Sequence, residues 1–428
     1  MEILKLLIFT CHVACLNARI PIIIIPGIGG SQIDAKLDLK SVKHDYCDKK
    51  SDWFTIWVNP REMLPLARNC WVDNLKMEYN ESSGKMQDKF GVNFRVPGFG
   101  NTTTIEWLDP ATELLGAYFS PFVRYFVKKY GYERGIDLRA APYDFRKDPS
   151  LASEYMMSLK NLIEETYANN GNKAVLLISH SMGAPYTLHF LHTVSSEWKS
   201  KYIKAWTTLS GAFAGAIKPV MAYISGDSFG IPRVLDKPSV LREFQRTLPG
   251  LAFLLPDSRF WNRTNDTLVT TPSRTYNVDQ MEELLNDTGY TTAVKIFKAV
   301  PKAWNPVPPN VKMFCFHGHD VKTPSKLKYT KKNFTEEDPD IEYGDGDGTV
   351  NLRSLEACKR WFGKQKQKIT YKTFEKAEHT AILRNINLLT SMDDVLEELN
   401  SSGLQLKAFS FVVSILFSFC VYTFTKMM

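Results

Sequence analysis

Short β-branched runs alternate along this chain with longer stretches of helical periodicity. Ile20 to Ile25 is continuously apolar and stops at Pro26-Gly27, the pattern of a strand buried on both faces of a parallel sheet and feeding a loop. Ala174 to Ile178 repeats it, and Ile203 to Leu209 and Val311 to Phe316 also read as strands. Between them, Pro121 to Tyr130 reads as a helix, and Leu151 to Asn169 is amphipathic and ends at Asn170-Gly171. A further helix is expected from Met182 to about Thr193, and a helical run from Ala381 to Leu389. Asp137 to Arg146 reads as strand and loop. The alternation predicts an α/β fold, a mostly parallel sheet with helices on both faces.

Two stretches break the rhythm. Cys47 to Tyr79 concentrates Trp53, Phe54, Trp57, Met63, Leu64, Leu66 and Trp71 around Pro60 and Pro65. It is either a small satellite core under a loop or an amphipathic appendage touching lipid through Trp53, Trp57, Met63, Leu64 and Leu66. Residues 216–303 are rich in prolines, and an insertion of that size over an α/β core is expected to form a cap or lid.

The ends carry targeting signals. Residues 1–18 read as a signal peptide, with Lys5 before an apolar stretch and Ala18 at the cleavage point. The apolar tail, 404–425, centres on Ala408 to Phe424. It reads as a single-pass anchor, or as a lipid-anchor signal cleaved near Ser401 to Gly403. Sequons at Asn80, Asn101, Asn262, Asn265, Asn286, Asn333 and Asn400 agree with entry into the secretory pathway. Among the cysteines outside both ends, Cys47, Cys70, Cys315 and Cys358 allow three pairings, of which the local one is favoured, Cys47 with Cys70 and Cys315 with Cys358. Their spacing suits no zinc site.

Composition narrows the classes further. Hydrophobic residues at 44% and charged residues at 23% over 428 residues exclude a disordered or multi-spanning chain. A net charge of +7 without a long Lys/Arg run argues against a nucleic-acid arm.

The candidate chemistry sits where Ala174 to Ile178 runs into Ser179-His180-Ser181-Met182-Gly183 and then a helix. Strand, tight turn and helix form the setting of a nucleophile elbow, with Ser179 in place of the usual first glycine. Ser181 is thus the candidate nucleophile, and it needs a base oriented by a carboxylate. Among the histidines that follow, His379 lies on the last loop of the domain and is the candidate base. Two carboxylates compete to orient it. Asp320 follows the strand Val311 to Phe316, and Asp347 sits in the glycine-rich loop Gly344 to Val350. A metal site at His317, His319 and Asp320 is a weak reading.

Pro26-Gly27 with Ser31 to Asp38, Val96 to Gly100, Tyr143-Asp144-Phe145-Arg146, the Ser179 to Gly183 elbow, Trp198 to Ile203 and Gly344 to Asn351 together resemble the lecithin:cholesterol acyltransferase family. The likeness is nearest to its lysosomal phospholipase A/transacylase (group XV) branch and runs from about Ile20 to Leu399. The resemblance implies an α/β-hydrolase fold with Ser181, Asp347 and His379 as triad, and amides of Ile28 and Met182 as oxyanion hole. It also implies a membrane-binding subdomain at about 40–100 braced by Cys47–Cys70, a second disulfide Cys315–Cys358, and a mobile lid near Asp227 to Arg246. No cofactor or metal is implied. The implied partners are a phospholipid surface and a lipophilic alcohol acceptor, with no nucleic acid and no obligate protein partner. The implied location is the lysosomal lumen or the extracellular face.

The chain departs from that branch in three places. Ile28 replaces an acidic residue, Phe213 and Ala214 replace a Pro-Trp pair beside the expected acyl pocket, and the apolar tail is absent from the soluble relatives. The expected activity is phospholipid acyl hydrolysis and transacylation through a serine acyl-enzyme. The alternatives are a sterol or neutral-lipid O-acyltransferase, an esterase for small soluble esters, and an inactive membrane-tethered lipid-binding glycoprotein.

Overall fold

The computed structural model describes residues 19–110, 116–228, 238–264 and 266–401. The expected signal peptide, the apolar tail and Asn265 lie outside the described residues, as does the middle of the expected lid. No helix among the described residues is long and apolar enough to cross a membrane. The chain divides into two units, one through Asn385 and one from Ile386. In the second, 386–401 forms a helix.

The first unit is built on a six-stranded sheet. In chain order its strands are β1 (Ile22–Ile25), β2 (Leu138–Ala140), β3 (Val175–His180), β4 (Ile203–Leu209), β5 (Met313–His319) and β6 (Ile369–Glu375). They lie in the order β6-β5-β4-β3-β1-β2, and every pairing is parallel. All residues of β1 and β3 are buried, which is why β1 and Val175 to Ile178 of β3 read as unbroken apolar runs rather than alternating ones. After β1 the chain pairs β2 on one side and then β3 on the other. Strand order therefore reverses at β1, and ligands in open α/β sheets bind in the crevice beyond the strand ends at such a point.

Helices α1 (Ser120–Tyr130), α2 (Ser153–Asn169) and α3 (Gly183–Thr193) match their sequence expectations to within two residues. Gly131 ends α1 in the left-handed conformation. Both α2 and α3 pack on β3. The run expected from Ala381 to Leu389 is instead broken. A 3₁₀ turn covers Ala381–Arg384, and Asn385 is extended, which interrupts the helical ladder before 386–401 begins.

The 40–100 region holds two small antiparallel sheets. Ile33–Leu37 pairs with Phe54–Trp57 on one side and Val92–Arg95 on the other, and Met77–Asn80 pairs with Lys85–Asp88. Cys47 is bonded to Cys70 at the helix Arg68–Leu75, and Cys315 of β5 to Cys358. Arg146 is fully buried and ties the region to the main sheet by ion pairs to both Asp144 and Asp88.

Two expected lipid contacts in this region are overturned. Trp57 and Met63 are 1% and 0% exposed, whereas Trp53, Leu64 and Leu66 are 39%, 54% and 78% exposed. The Trp57 ring stacks on Trp71, and its indole N–H donates to Gly29 O at 2.9 Å.

Residues 216–303 contribute several short helices, but their sheet is completed from outside. Val269–Thr270 pairs with Thr275–Tyr276 and, in parallel, with Thr323–Lys328, which pairs in turn with Asp340–Gly344.

Candidate active site

Between the end of β3 and the start of α3, Ser181 adopts φ = 55°. This left-handed conformation costs a non-glycine residue about 1–3 kcal/mol and clusters at functional sites. The surroundings enforce it. The Ser181 amide donates to Leu209 O of β4 at 3.0 Å. At Gly183 a Cβ would stand 2.4 Å from Pro26 O and 2.6 Å from Ile25 O, so only glycine lets the turn cross the end of β1. Ser179, in the usual glycine position, is more than small enough. Its hydroxyl accepts the Trp206 indole N–H at 2.9 Å and shares a hydrogen bond with Thr187 at 2.7 Å.

His379 Nε2 lies 3.0 Å from Ser181 Oγ, and His379 Nδ1 lies 2.7 Å from Asp347 Oδ2. The main chain repeats the second link, because the His379 amide donates to Asp347 O at 2.8 Å. Asp347 is 0% exposed, and its other carboxylate oxygen accepts the amides of Thr349 and Val350 at 3.1 and 2.8 Å. Burial pushes this carboxyl's pKa up, but the facing His379 charge, their hydrogen bond and the two amides outweigh it and hold the pKa below its ordinary 3.8. Of the two candidate acids, the geometry brings Asp347 to His379. Asp320 is exposed in a turn where its amide bonds Asp345 Oδ1 at 2.6 Å, and it takes no part in the constellation. His317 engages Gly318 O and the Tyr371 hydroxyl through its two ring nitrogens.

The loop after β1 closes over Ser181. A Cβ on Gly27 would meet Ser181 Cβ at 2.7 Å, so the absence of a side chain there lets the loop pass close to Ser181. Trp57 holds it from outside through Gly29 O. Ile28 lines the cavity above Ser181 and brings no ionisable group there. Met182 begins the turn into α3 and is fully buried.

That cavity, about 190 Å³, is walled largely by apolar side chains, among them Ile28, Ala212, Pro219, Leu251, Leu254 and Val350. A second cavity of about 420 Å³ shares Tyr118, Lys218, Thr349 and His379 with it and is lined by Lys322, Glu378 and Arg384. An apolar space that holds Ser181 and a charged one thus meet at His379. Phe213 and Ala214 line neither. The Phe213 ring turns into the core against Trp206 and Trp361, and the Ala214 amide donates to Ser354 Oγ at 2.9 Å.

Sequence reading overlooked Tyr118, His180 and Lys218 at this site. His180 stands inside the elbow itself, and its position beside Ser181 was the one signal available. Tyr118 and Lys218 come from elsewhere in the chain and carry no local signature.

The family profile described as "Lecithin:cholesterol acyltransferase" matches residues 53–305 and 294–389 of this chain. "Lysosomal phospholipase A and acyltransferase" of Bos taurus is 37% identical over 382 residues, covering 89% of this chain and 92% of the relative. "Phosphatidylcholine-sterol acyltransferase" of Gallus gallus is 36% identical over 382 residues, covering 87% and 89%. Among solved structures, the "Tle4-Tli4 complex" aligns at a TM-score of 0.50 with 13% identity, over 90% of this chain and 99% of that one, a likeness of fold alone.

Proposed function

This chain belongs to the lecithin:cholesterol acyltransferase family, and from that premise we propose that it is a serine lipid hydrolase and O-acyltransferase acting on phospholipid. The observation that carries the reading is the continuous chain Ser181–His379–Asp347, at 3.0 and 2.7 Å, placed where an apolar cavity meets a charged one. An ester with an apolar acyl chain and a charged or polar end fits that junction.

In the first half-reaction Ser181 Oγ attacks the ester carbonyl while His379 Nε2 takes its proton. Asp347 holds the ring through Nδ1 and stabilises the imidazolium. The tetrahedral oxygen, now negative, faces the amides of Ile28 and Met182, each worth on the order of 10²–10³ in rate for donors of this type. Collapse expels the lysophospholipid alkoxide, which leaves with the proton from His379, and the acyl group stays on Ser181. In the second half-reaction His379 deprotonates the acceptor. Water gives fatty acid, and a lipophilic alcohol gives a new ester.

Trp53, Leu64 and Leu66 are the apolar surface by which the 40–100 region would meet a membrane. The segment near Asp227 to Arg246 is the candidate lid, because Asp227 lines the cavity above Ser181. The two disulfides suit folding in the oxidising secretory pathway, and the likeness to lysosomal relatives favours a lumenal site of action. The acceptor is set by water access to the acyl-enzyme.

The test is the folded, glycosylated protein incubated with phosphatidylcholine liposomes, with and without a ceramide-like alcohol. Fatty acid and lysolipid, with acylated alcohol when the acceptor is present, are the expected products. Ser181→Ala is expected to yield none. A fully active Ser181→Ala protein defeats the assignment, and a wild-type protein that binds liposomes without forming product points to an inactive lipid binder.

A further inference from the structure

Two buried polar side chains at the centre of the site have no part in the chemistry above. His180, 2% exposed, is the last residue of β3 and adjoins Ser181, and Tyr118, 8% exposed, precedes α1. The Gly27 amide donates to the Tyr118 hydroxyl at 3.0 Å, and that hydroxyl lies 2.5 Å from His180 Nδ1. On the far side of the ring, His180 Nε2 lies 2.9 Å from the backbone oxygen of His379.

The polarity of this chain follows from its ends. A carbonyl only accepts, so His180 carries its proton on Nε2, and the neutral ring must then accept at Nδ1. Tyr118 therefore donates its O–H to His180 and accepts the Gly27 N–H. Burial, aided by the charge of His379, drives the His180 pKa down to about 3, and burial raises that of Tyr118, so both side chains stay neutral. Edge-on packing of Tyr118 and Phe119 against the His180 ring fixes its plane. The glycines of the loop make room for the tyrosine, since a Cβ on Gly30 would lie 2.5 Å from Tyr118 Cε1.

We propose that Tyr118 and His180 are positioning residues that tie the loop after β1 and the His379 loop to the nucleophile strand, keeping the oxyanion amide and the base in register with Ser181. The proposal rests on the roles given above to Ser181, His379 and Ile28. It assigns Gly27 N–H to Tyr118, which leaves the neighbouring Ile28 amide to face the reacting oxygen. It also explains why these loops need a link beyond packing. A displacement of about 1 Å at a reacting group costs on the order of 10²-fold in rate, and both loops bear such a group. Removing the tyrosine hydroxyl orphans a buried amide and a buried ring nitrogen at once.

The test uses the full glycosylated protein, with turnover of dispersed phosphatidylcholine divided by the sites that a fluorophosphonate titrates. Tyr118→Phe is expected to lower kcat about 10- to 100-fold with KM within about twofold of wild type. His180→Gln retains an N–H near the Nε2 position and is expected to keep more activity than His180→Asn, which does not. In the Tyr118→Phe/His180→Asn double variant the losses are expected to fall short of multiplying, as for residues acting as one unit.

Wild-type kcat per titrated site in Tyr118→Phe overturns the proposal, as does a loss confined to the number of titrated sites. If Tyr118→Phe does not fold, the two His180 variants decide, and equal kcat in both overturns it. Ser181→Ala separates the levels. Turnover surviving there removes the reading of the site itself, whereas its loss beside an unaffected Tyr118→Phe removes only the positioning pair.

Discussion

The elbow at Ser181 and the aromatic segment around Trp57 are both dense in informative residues, yet they differ in how far sequence alone resolves them. At the elbow, each feature is a local consequence of crossing from β3 to α3. The positive φ of Ser181, the missing side chain at Gly183 and the small hydroxyl at Ser179 all follow from a tight turn that crosses the ends of β1 and β4, a setting that the strand–turn–helix pattern alone announces. In the 40–100 region, adjacent apolar residues part company. Met63 is sealed inside and Leu64 is 54% exposed; Trp57 braces the loop over Ser181 while Trp53 faces outward. The first region is specified by backbone geometry and the second by what happens to pack on it.

The largest expected effect tests the chemistry side of this contrast. Asp347→Asn is expected to lower kcat by about 10⁴-fold, as when the carboxylate that orients a catalytic histidine is neutralised. Asp320→Asn is expected to stay within about twofold of wild type in the same liposome assay. Equal losses in the two would mean that the geometry at His379 does not decide the acid.

Next comes the disulfide-braced region. Cys47→Ser/Cys70→Ser is expected to cost about 2–4 kcal/mol, seen in chemical denaturation and as faster hydrogen exchange within 40–100. Unchanged stability would remove the bracing role.

Leu64→Ser/Leu66→Ser is expected to weaken liposome binding about 10- to 100-fold, each partly inserted leucine contributing about half of the 1.5–3 kcal/mol that full burial gives. Hydrolysis of a soluble short-chain ester should barely change. Should liposome sedimentation match wild type, these leucines are ordinary surface residues.

The last effect concerns pH. His180 faces Tyr118, His379 and Asp347, and its pKa is held at about 3 against an ordinary 6.5. The unfolded chain therefore binds the extra proton between those values. The stability contributed by the neutral ring is complete above pH 6.5 and is lost as pH falls toward 3. Tm measured from pH 3 to 7 should fall less steeply in His180→Gln than in wild type. Parallel curves would show that the ring does not stay neutral in the folded state.

By itself the sequence determined the parallel sheet, because strands buried on both faces favour continuous apolar runs, and β1 and Val175 to Ile178 of β3 announce themselves in that way, spaced by helical stretches. It also singled out Ser181 as the candidate nucleophile, because a strand-to-helix turn this tight tolerates few residues. The choice of acid remained open to residue-by-residue reading, since Asp320 and Asp347 both follow plausible turns, and family resemblance favoured Asp347 before any geometry did. Only the tertiary structure decided which carboxylate reaches His379, which of the adjacent apolar residues near Trp57 turn inward, and that Tyr118 joins the loop after β1 to His180. Those are contacts between residues far apart in the chain. Local periodicity cannot specify them, because they depend on where whole elements come to rest against one another.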